Sequence, residues 1–253
     1  RSHDGHPGHT PHAMKKDAPA QPIPPATESK KIRVAIVEDH TLMRQRLAQL
    51  ISSQPDMSVV VEAGDAAAGL SGILDVKPDL ALIDITLPGR NGLELIKDIV
   101  AQIPSLPILV VSMHDETLYA ERALKAGAKG FLMKDADRST IILAIRRILA
   151  GGFYVSDRMA GEIFASFAGK TAAKAEAGGA VSKLSDREFE VFEHLGAGLS
   201  TNEIAERLGI SPKTVEVHRA RIREKLDLPN GAALVRYSVR WVEPRNRGAP
   251  SDR

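Results

Sequence analysis

From Lys31 onward the chain alternates two hydrophobic periods. Short β-branched runs at Ile32 to Val37, Ser58 to Ala63, Leu80 to Asp84, Pro107 to Ser112 and Gly130 to Met133 predict strands. Segments of helical period follow them, starting near Thr41, Asp65, Gly92, Asp115 and Asp137. Strands that are apolar on both faces need helices on both sides, so this alternation predicts a doubly wound α/β domain with a five-stranded parallel sheet. Functional groups in such a sheet gather at the carboxyl ends of the strands.

The remainder divides by composition. Residues 1–29 are rich in Pro, Gly, His and Ala without apolar periodicity and are expected to be disordered. His3, His6, His9 and His12 recur every third residue; the bland explanation, a solvated or vector-encoded tail ahead of Met14, outweighs metal chelation. The α/β domain is expected over 30–152. Residues 153–180 read as a linker, with a short helix possible over 153–168 and the small-residue run GKTAAKAEAGGA after it. A separate all-α domain of four helices is expected over 181–242, followed by a disordered tail over 243–253. Its helix starts are marked by Ser185-x-x-Glu188 and Ser200-x-x-Glu203 capping boxes and by Ser211-Pro212, and Gly209 supplies a left-handed stop. The fourth helix, Gly231 to Val242, is expected to end before Pro244.

Composition narrows the chemistry. There is no cysteine, which removes disulfides, thiolate metal sites and cysteine nucleophiles. No apolar run reaches bilayer length, so a cytoplasmic protein without membrane contact is expected. The net charge of +2 hides an asymmetry, since Lys213 to Arg247 holds nine cations against four acids. A basic end on an otherwise slightly acidic chain suits a polyanion.

The carboxylates carry the sharpest signal. Asp84 ends the third strand, while Glu38 and Asp39 end the first, its neighbour in a doubly wound sheet. Three converging carboxylates repel one another unless a hard cation joins them, and Mg²⁺ is the fitting ion. Strand four delivers the Ser112 hydroxyl and strand five the Lys134 ammonium. Carboxylate nucleophile, metal, hydroxyl and fixed cation make a phosphoryl-accepting site.

The motifs VEDH, LIDITLPGRNGLELI, VVSMHD and AGAKGFLMKDA resemble the receiver domain of bacterial two-component response regulators, over roughly Lys30 to Gly152. That resemblance implies a flavodoxin-like strand order 2-1-3-4-5 and phosphorylation of Asp84 by a sensor histidine kinase. It further implies Mg²⁺ held by Glu38, Asp39, Asp84 and the Thr86 backbone carbonyl. Ser112 and Lys134 would contact the phosphoryl group, and Phe131 would be the switch aromatic, in a place where tyrosine is commoner. A phosphatase is the rival chemistry, but such enzymes carry a second acid two residues after the nucleophile, where this chain has Thr86. A phosphoacceptor with at most slow self-dephosphorylation is therefore expected rather than an enzyme.

In the helical part, LSTNEIAERLGISPKTVEVHRARIREKL reads as helix, turn, cationic helix, the order of a helix-turn-helix. With LSDREFEVF before it, the segment resembles the LuxR-type DNA-binding domain of the NarL/FixJ family. The resemblance implies that Lys213, Thr214, His218 and Arg219 hold phosphates and that Glu216, Val217 and Ala220 face bases, with Val215 and Ile222 packed inward. Glu216 is equally able to accept from cytosine or to pair with Arg219 or Arg223 on its own helix. In the last helix, Leu234, Tyr237 or Ser238 and Trp241 suit the core. Val235, Val239 and Val242 form a second stripe that would pair with another copy, giving a homodimer on a two-fold site in promoter DNA. Contact with RNA polymerase is a further expected partnership. The alternative function is a DNA-binding regulator whose receiver serves only as a phosphorylation-independent dimerisation module.

Overall fold

A computed structural model describes residues 31–161 and 180–246 of the chain. The histidines at 3, 6, 9 and 12, most of the expected linker and the end of the C-terminal tail lie outside the described residues. The first domain runs β1 (Ile32–Val37), α1 (Thr41–Ser52), β2 (Met57–Ala63), α2 (Ala66–Val76), β3 (Leu80–Ile83), α3 (Gly92–Gln102), β4 (Ile108–Ser112), α4 (Glu116–Ala126), β5 (Gly130–Met133) and α5 (Arg138–Leu149). All strand pairs are parallel, in the order β2-β1-β3-β4-β5.

Alternation along the strands builds two apolar layers. Ala35, Val37, Ala81, Ile83, Ile108 and Val110 pack on one face, under Ile73, Leu95, Ile96, Ile99 and Ala123. Val34, Ile36, Leu80, Leu82, Leu109 and Val111 pack on the other, under Leu47, Leu50, Ile51, Ile141 and Ile145. Helix starts are capped by side chains: Asp65, Asn91, Asp115 and Asp137 each accept a backbone N–H of the first turn.

β3 stops one residue short of the expected Asp84. Asp84 N still donates to Val37 O at 2.9 Å, but the chain then turns, and Gly92 N donates back to Ile85 O at 2.8 Å. The start of α3 thus lies directly on the backbone behind Asp84. Only glycine fits there, because a Cβ on Gly92 would fall 1.9 Å from Asp84 O.

The second domain opens with a 3-10 turn at Val181–Lys183, followed by α6 (Asp186–Gly196), α7 (Thr201–Leu208), α8 (Pro212–Lys225) and α9 (Gly231–Asn246). Both capping boxes form, and Gly209 ends α7 at φ +62°. α9 continues one turn past the expected stop, through Pro244. Proline withholds only its own N–H, and near a helix end the carbonyl left unpaired can turn to water. Phe189 and Phe192 of α6 meet the Trp241 ring edge-on, with centroids 5.5 Å apart in both cases. On α6 every residue from Asp186 to Phe192 is buried, charged ones included, because α8 and α9 cover one side and the first domain the other.

Candidate functional site

The carboxyl ends of β1, β3, β4 and β5 meet at one pocket. Lys134 Nζ donates to Glu38 Oε1 and to Asp84 Oδ2, both at 2.8 Å, and all three residues are buried. Asp84 Oδ1 is also buried and has no hydrogen-bond partner among the described residues. Ser112 is fully buried at the end of β4, and its Oγ accepts from His114 N at 3.1 Å. Phe131 is fully buried on β5, its ring pointing inward without a polar handle.

Burial pushes the Glu38 and Asp84 carboxyls above their ordinary values; Asp84 adds to the effect on Glu38, and Lys134 opposes both. Burial works against the charge of Lys134 too, but Asp84 and Glu38 outweigh it and hold the ammonium above its usual value. The pocket is therefore short of positive charge. Glu38, Asp39, His40 and Asp84 each bring a ligand atom within 4.8 Å of the others, a set able to hold a metal ion. His40 had not been singled out by the sequence, because a lone histidine beside two acids carries no spacing signal.

A line of polar contacts runs from this pocket to the second domain. Thr86 Oγ1 and His114 Nε2 share a hydrogen bond of 2.8 Å, and His114 Nδ1 lies 3.5 Å from Glu193 Oε2 on α6. Tyr119 of α4 donates to the same Glu193 oxygen at 2.6 Å. Burial disfavours the charge of His114, but Glu193 outweighs it and raises the imidazole. Burial likewise pushes Glu193 up, and His114 outweighs it and holds that carboxyl low. Asp186 is held by Lys97 at 2.6 Å and by Arg122 at 3.2 Å. Arg122 also donates to Val181 O and Leu184 O, and its guanidinium carbon sits 4.0 Å above the Phe189 ring. Arg187 donates to Leu208 O at 2.6 Å and reaches Gly89 O, in the loop after Asp84, at 3.3 Å. None of these pairings was visible in the sequence, where this segment shows only a helix start at Ser185.

On α8, Lys213, Thr214, Glu216, Val217 and Ala220 are exposed along one side, while Val215 and Ile222 are buried as expected. Glu216 is paired within the domain: its Oε1 accepts from Thr201 Oγ1 at 2.8 Å and from Arg219 Nη1 at 2.9 Å. Arg219 also donates to Thr201 at 2.7 Å, so Thr201 joins a pairing that the sequence had left open between Glu216 and Arg219 or Arg223. His218 is half-buried, its Nδ1 without a hydrogen-bond partner among the described residues, and burial together with Arg187 lowers its pKa. The expected dimer stripe on α9 needs one correction. Val235 and Val239 are half-buried, but Val242 is 4% exposed and packs against Gly196, because α9 lies too close to α6 to leave it free.

Residues 34–146 match the response regulator receiver domain, and residues 182–238 match the bacterial regulatory proteins of the luxR family. The transcriptional regulatory protein UhpA of Escherichia coli (strain K12) is 36% identical over 206 residues, covering 81% of this chain and 96% of that protein. The oxygen regulatory protein NreC of Staphylococcus carnosus is 31% identical, covering 83% of this chain and 97% of that one. A crystal structure of a LuxR-family two-component response regulator from Aurantimonas sp. SI85-9A1 aligns at TM-score 0.52 with 33% identity, over 55% of this chain and 99% of that chain. The structure of RcsB from Salmonella enterica serovar Typhimurium, bound to promoter rprA in the presence of a phosphomimetic, aligns at TM-score 0.56 with 23% identity, over 83% of this chain and 99% of that chain.

Proposed function

This chain belongs to the NarL/FixJ family of response regulators, which join a receiver to a LuxR-type DNA-binding domain, and from that premise we propose that phosphorylation of Asp84 switches it. The observation that carries this reading is the buried, unpartnered Oδ1 of Asp84, on a carboxylate whose other oxygen is held by Lys134. A free carboxylate oxygen in a pocket short of positive charge is a nucleophile placed for an electrophile that arrives with its own counter-ion.

The donor is the phosphohistidine of a sensor histidine kinase. Asp84 Oδ1 attacks phosphorus, the phosphorus–nitrogen bond breaks, and the imidazole leaves with the bonding pair. Lys134 balances the incoming charge, and the Ser112 hydroxyl turns to donate to a phosphoryl oxygen. The carboxylates of Glu38, Asp39 and Asp84, with the Thr86 carbonyl, fit Mg²⁺, which would neutralise charge on the transferring group when bound. Thr86, two residues after Asp84, offers no general acid, so the acyl phosphate persists as a signal instead of turning over.

Ser112 and Thr86 both touch His114, and His114 faces Glu193, so a rearrangement at the phosphoryl group reaches α6 in two contacts. Loosening α6 frees the DNA-binding domains to pair on a two-fold promoter site, with Lys213, Thr214, His218 and Arg219 on phosphates and Val217 and Ala220 toward bases. RcsB, which shares the fold, is described on promoter DNA with a phosphomimetic, and the same link between phosphorylation and promoter binding is proposed here. The test is intact mass after incubation with Mg²⁺ and acetyl phosphate. Wild type is expected to gain one phosphoryl group and Asp84→Asn none; a folded wild type that gains nothing overturns the proposal.

A further inference from the structure

We propose that Thr201 and Glu216 hold the Arg219 guanidinium in place for the DNA backbone, which makes both of them positioning residues for DNA binding and takes Glu216 out of base reading. The inference rests on the reading of α8 as the helix that enters the DNA groove.

The three side chains close a ring across the helix-turn-helix. Thr201 Oγ1 donates to Glu216 Oε1 at 2.8 Å, Arg219 Nη1 donates to the same oxygen at 2.9 Å, and Arg219 Nη1 also donates to Thr201 Oγ1 at 2.7 Å. Thr201 is the first residue of α7, 15 and 18 positions before its two partners, and the left-handed Gly209 at φ +62° turns α8 back across α7 to bring them together. Its hydroxyl is free for this task because the neighbouring Ser200 caps α7 by accepting from Glu203 N. A hydroxyl both donates and accepts, so Thr201 ties the carboxylate to the guanidinium.

The surroundings decide what the ring can do. The Arg219 side chain is 22% exposed, and the start of α9 lies along its other side, where a Cβ on Gly231 would fall 3.7 Å from Nη2. Among the described residues its hydrogen bonds run through Nη1 alone, which leaves the protons of Nη2 and Nε for a phosphate oxygen. An arginine fixed in this way has lost its rotamer freedom before DNA arrives, so binding does not have to order it. A carboxylate reading cytosine would have to turn to the base edge. Glu216 Oε1 instead accepts two hydrogen bonds from its own domain, and a swing toward a base would release Arg219.

The test measures binding of the full chain, treated with Mg²⁺ and acetyl phosphate, to a random-sequence duplex library and then to the enriched duplex over a range of salt. Thr201→Val removes the hydroxyl at nearly constant shape and unchanged charge. Alone it is expected to weaken binding about threefold to tenfold, the range for ordering one long side chain, with the salt slope unchanged. In an Arg219→Ala background the same substitution is expected to cost nothing further, because no guanidinium is left to place. Thr201→Ser keeps the hydroxyl and should bind as wild type does. Glu216→Gln should enrich the same bases as wild type at every position. No loss in Thr201→Val, or a loss that persists in the Arg219→Ala background, would overturn the positioning role, the latter by making Thr201 a direct DNA contact or a purely structural residue. A preference altered at a single base pair in Glu216→Gln would return Glu216 to base reading and overturn its assignment. If wild type binds no duplex even at low salt, the reading of α8 itself fails and this inference falls with it.

Discussion

Replacing Lys134 by methionine tests whether the pocket is electrostatically tense. The ammonium donates to Glu38 and Asp84 at 2.8 Å each, and the three side chains are 6%, 2% and 1% exposed. Methionine keeps most of the volume and removes the charge together with both hydrogen bonds. Two carboxylates then share a pocket that burial already makes unfavourable for them, a broken buried network of a kind that costs about 3–5 kcal/mol. At about 4 °C per kcal/mol for a domain of this size, the receiver should melt at least about 10 °C lower. The assay is thermal and urea unfolding followed by circular dichroism at pH 7 without divalent cations. Adding Asp84→Asn to Lys134→Met should recover a large part of the loss, because it removes a stranded charge. Lowering the pH should do the same. Glu38 and Asp84 have folded values above their unfolded ones, so their protonation favours the native state below the folded value and that gain disappears as pH rises through it. A penalty under about 1 kcal/mol, or a double variant no more stable than Lys134→Met, would refute the reasoning.

Tyr119→Phe removes the hydroxyl that donates to Glu193 at 2.6 Å, a charge-assisted bond of about 1.5–3 kcal/mol; hydrogen exchange of α6 amides should accelerate about tenfold or more, and unchanged exchange would show that the bond does not hold the domains together. Gly92→Ala places a Cβ against Asp84 O and Ile85 Cα, both main-chain atoms that cannot swing aside, so it should destabilise the receiver and abolish mass gain with acetyl phosphate. His194 is lowered to about 4, chiefly by burial, so its contribution to stability is present above its ordinary value of 6.5 and is lost as pH falls toward 4. The loss amounts to about 3 kcal/mol, and His194→Gln should show a correspondingly flatter urea midpoint across that window than wild type. Arg219→Ala should weaken binding to all DNA sequences and reduce the salt slope by about one, whereas relaxed preference at a single base pair would reassign Arg219 to base reading.

Much of the molecule was legible from local pattern. Strand and helix periods located all five repeats of the receiver, and caps such as Ser185, Ser200 and Ser211 formed where their spacing placed them. Asp84, Glu38 and Lys134 meet because strand order brings the ends of β1 and β3 together and places β5 nearby. Errors fell at element ends. Pro244 did not stop α9, and Val242 was taken into the core by the close approach of Gly196.

The sequence by itself determined the elements, the sheet and the chemistry at its edge, since these follow from periods of two and 3.6 residues and from which residue types end the strands. Only the tertiary structure decided where α6 lies, and with it the pairing of Tyr119 and His114 with Glu193, of Lys97 and Arg122 with Asp186, and of Arg187 with the loop after Asp84. The physical reason is that a charge carries no address. Nothing local tells Asp186 or Glu193 which partner it will meet, because that partner surface is built by residues some 60 to 90 positions away in the chain.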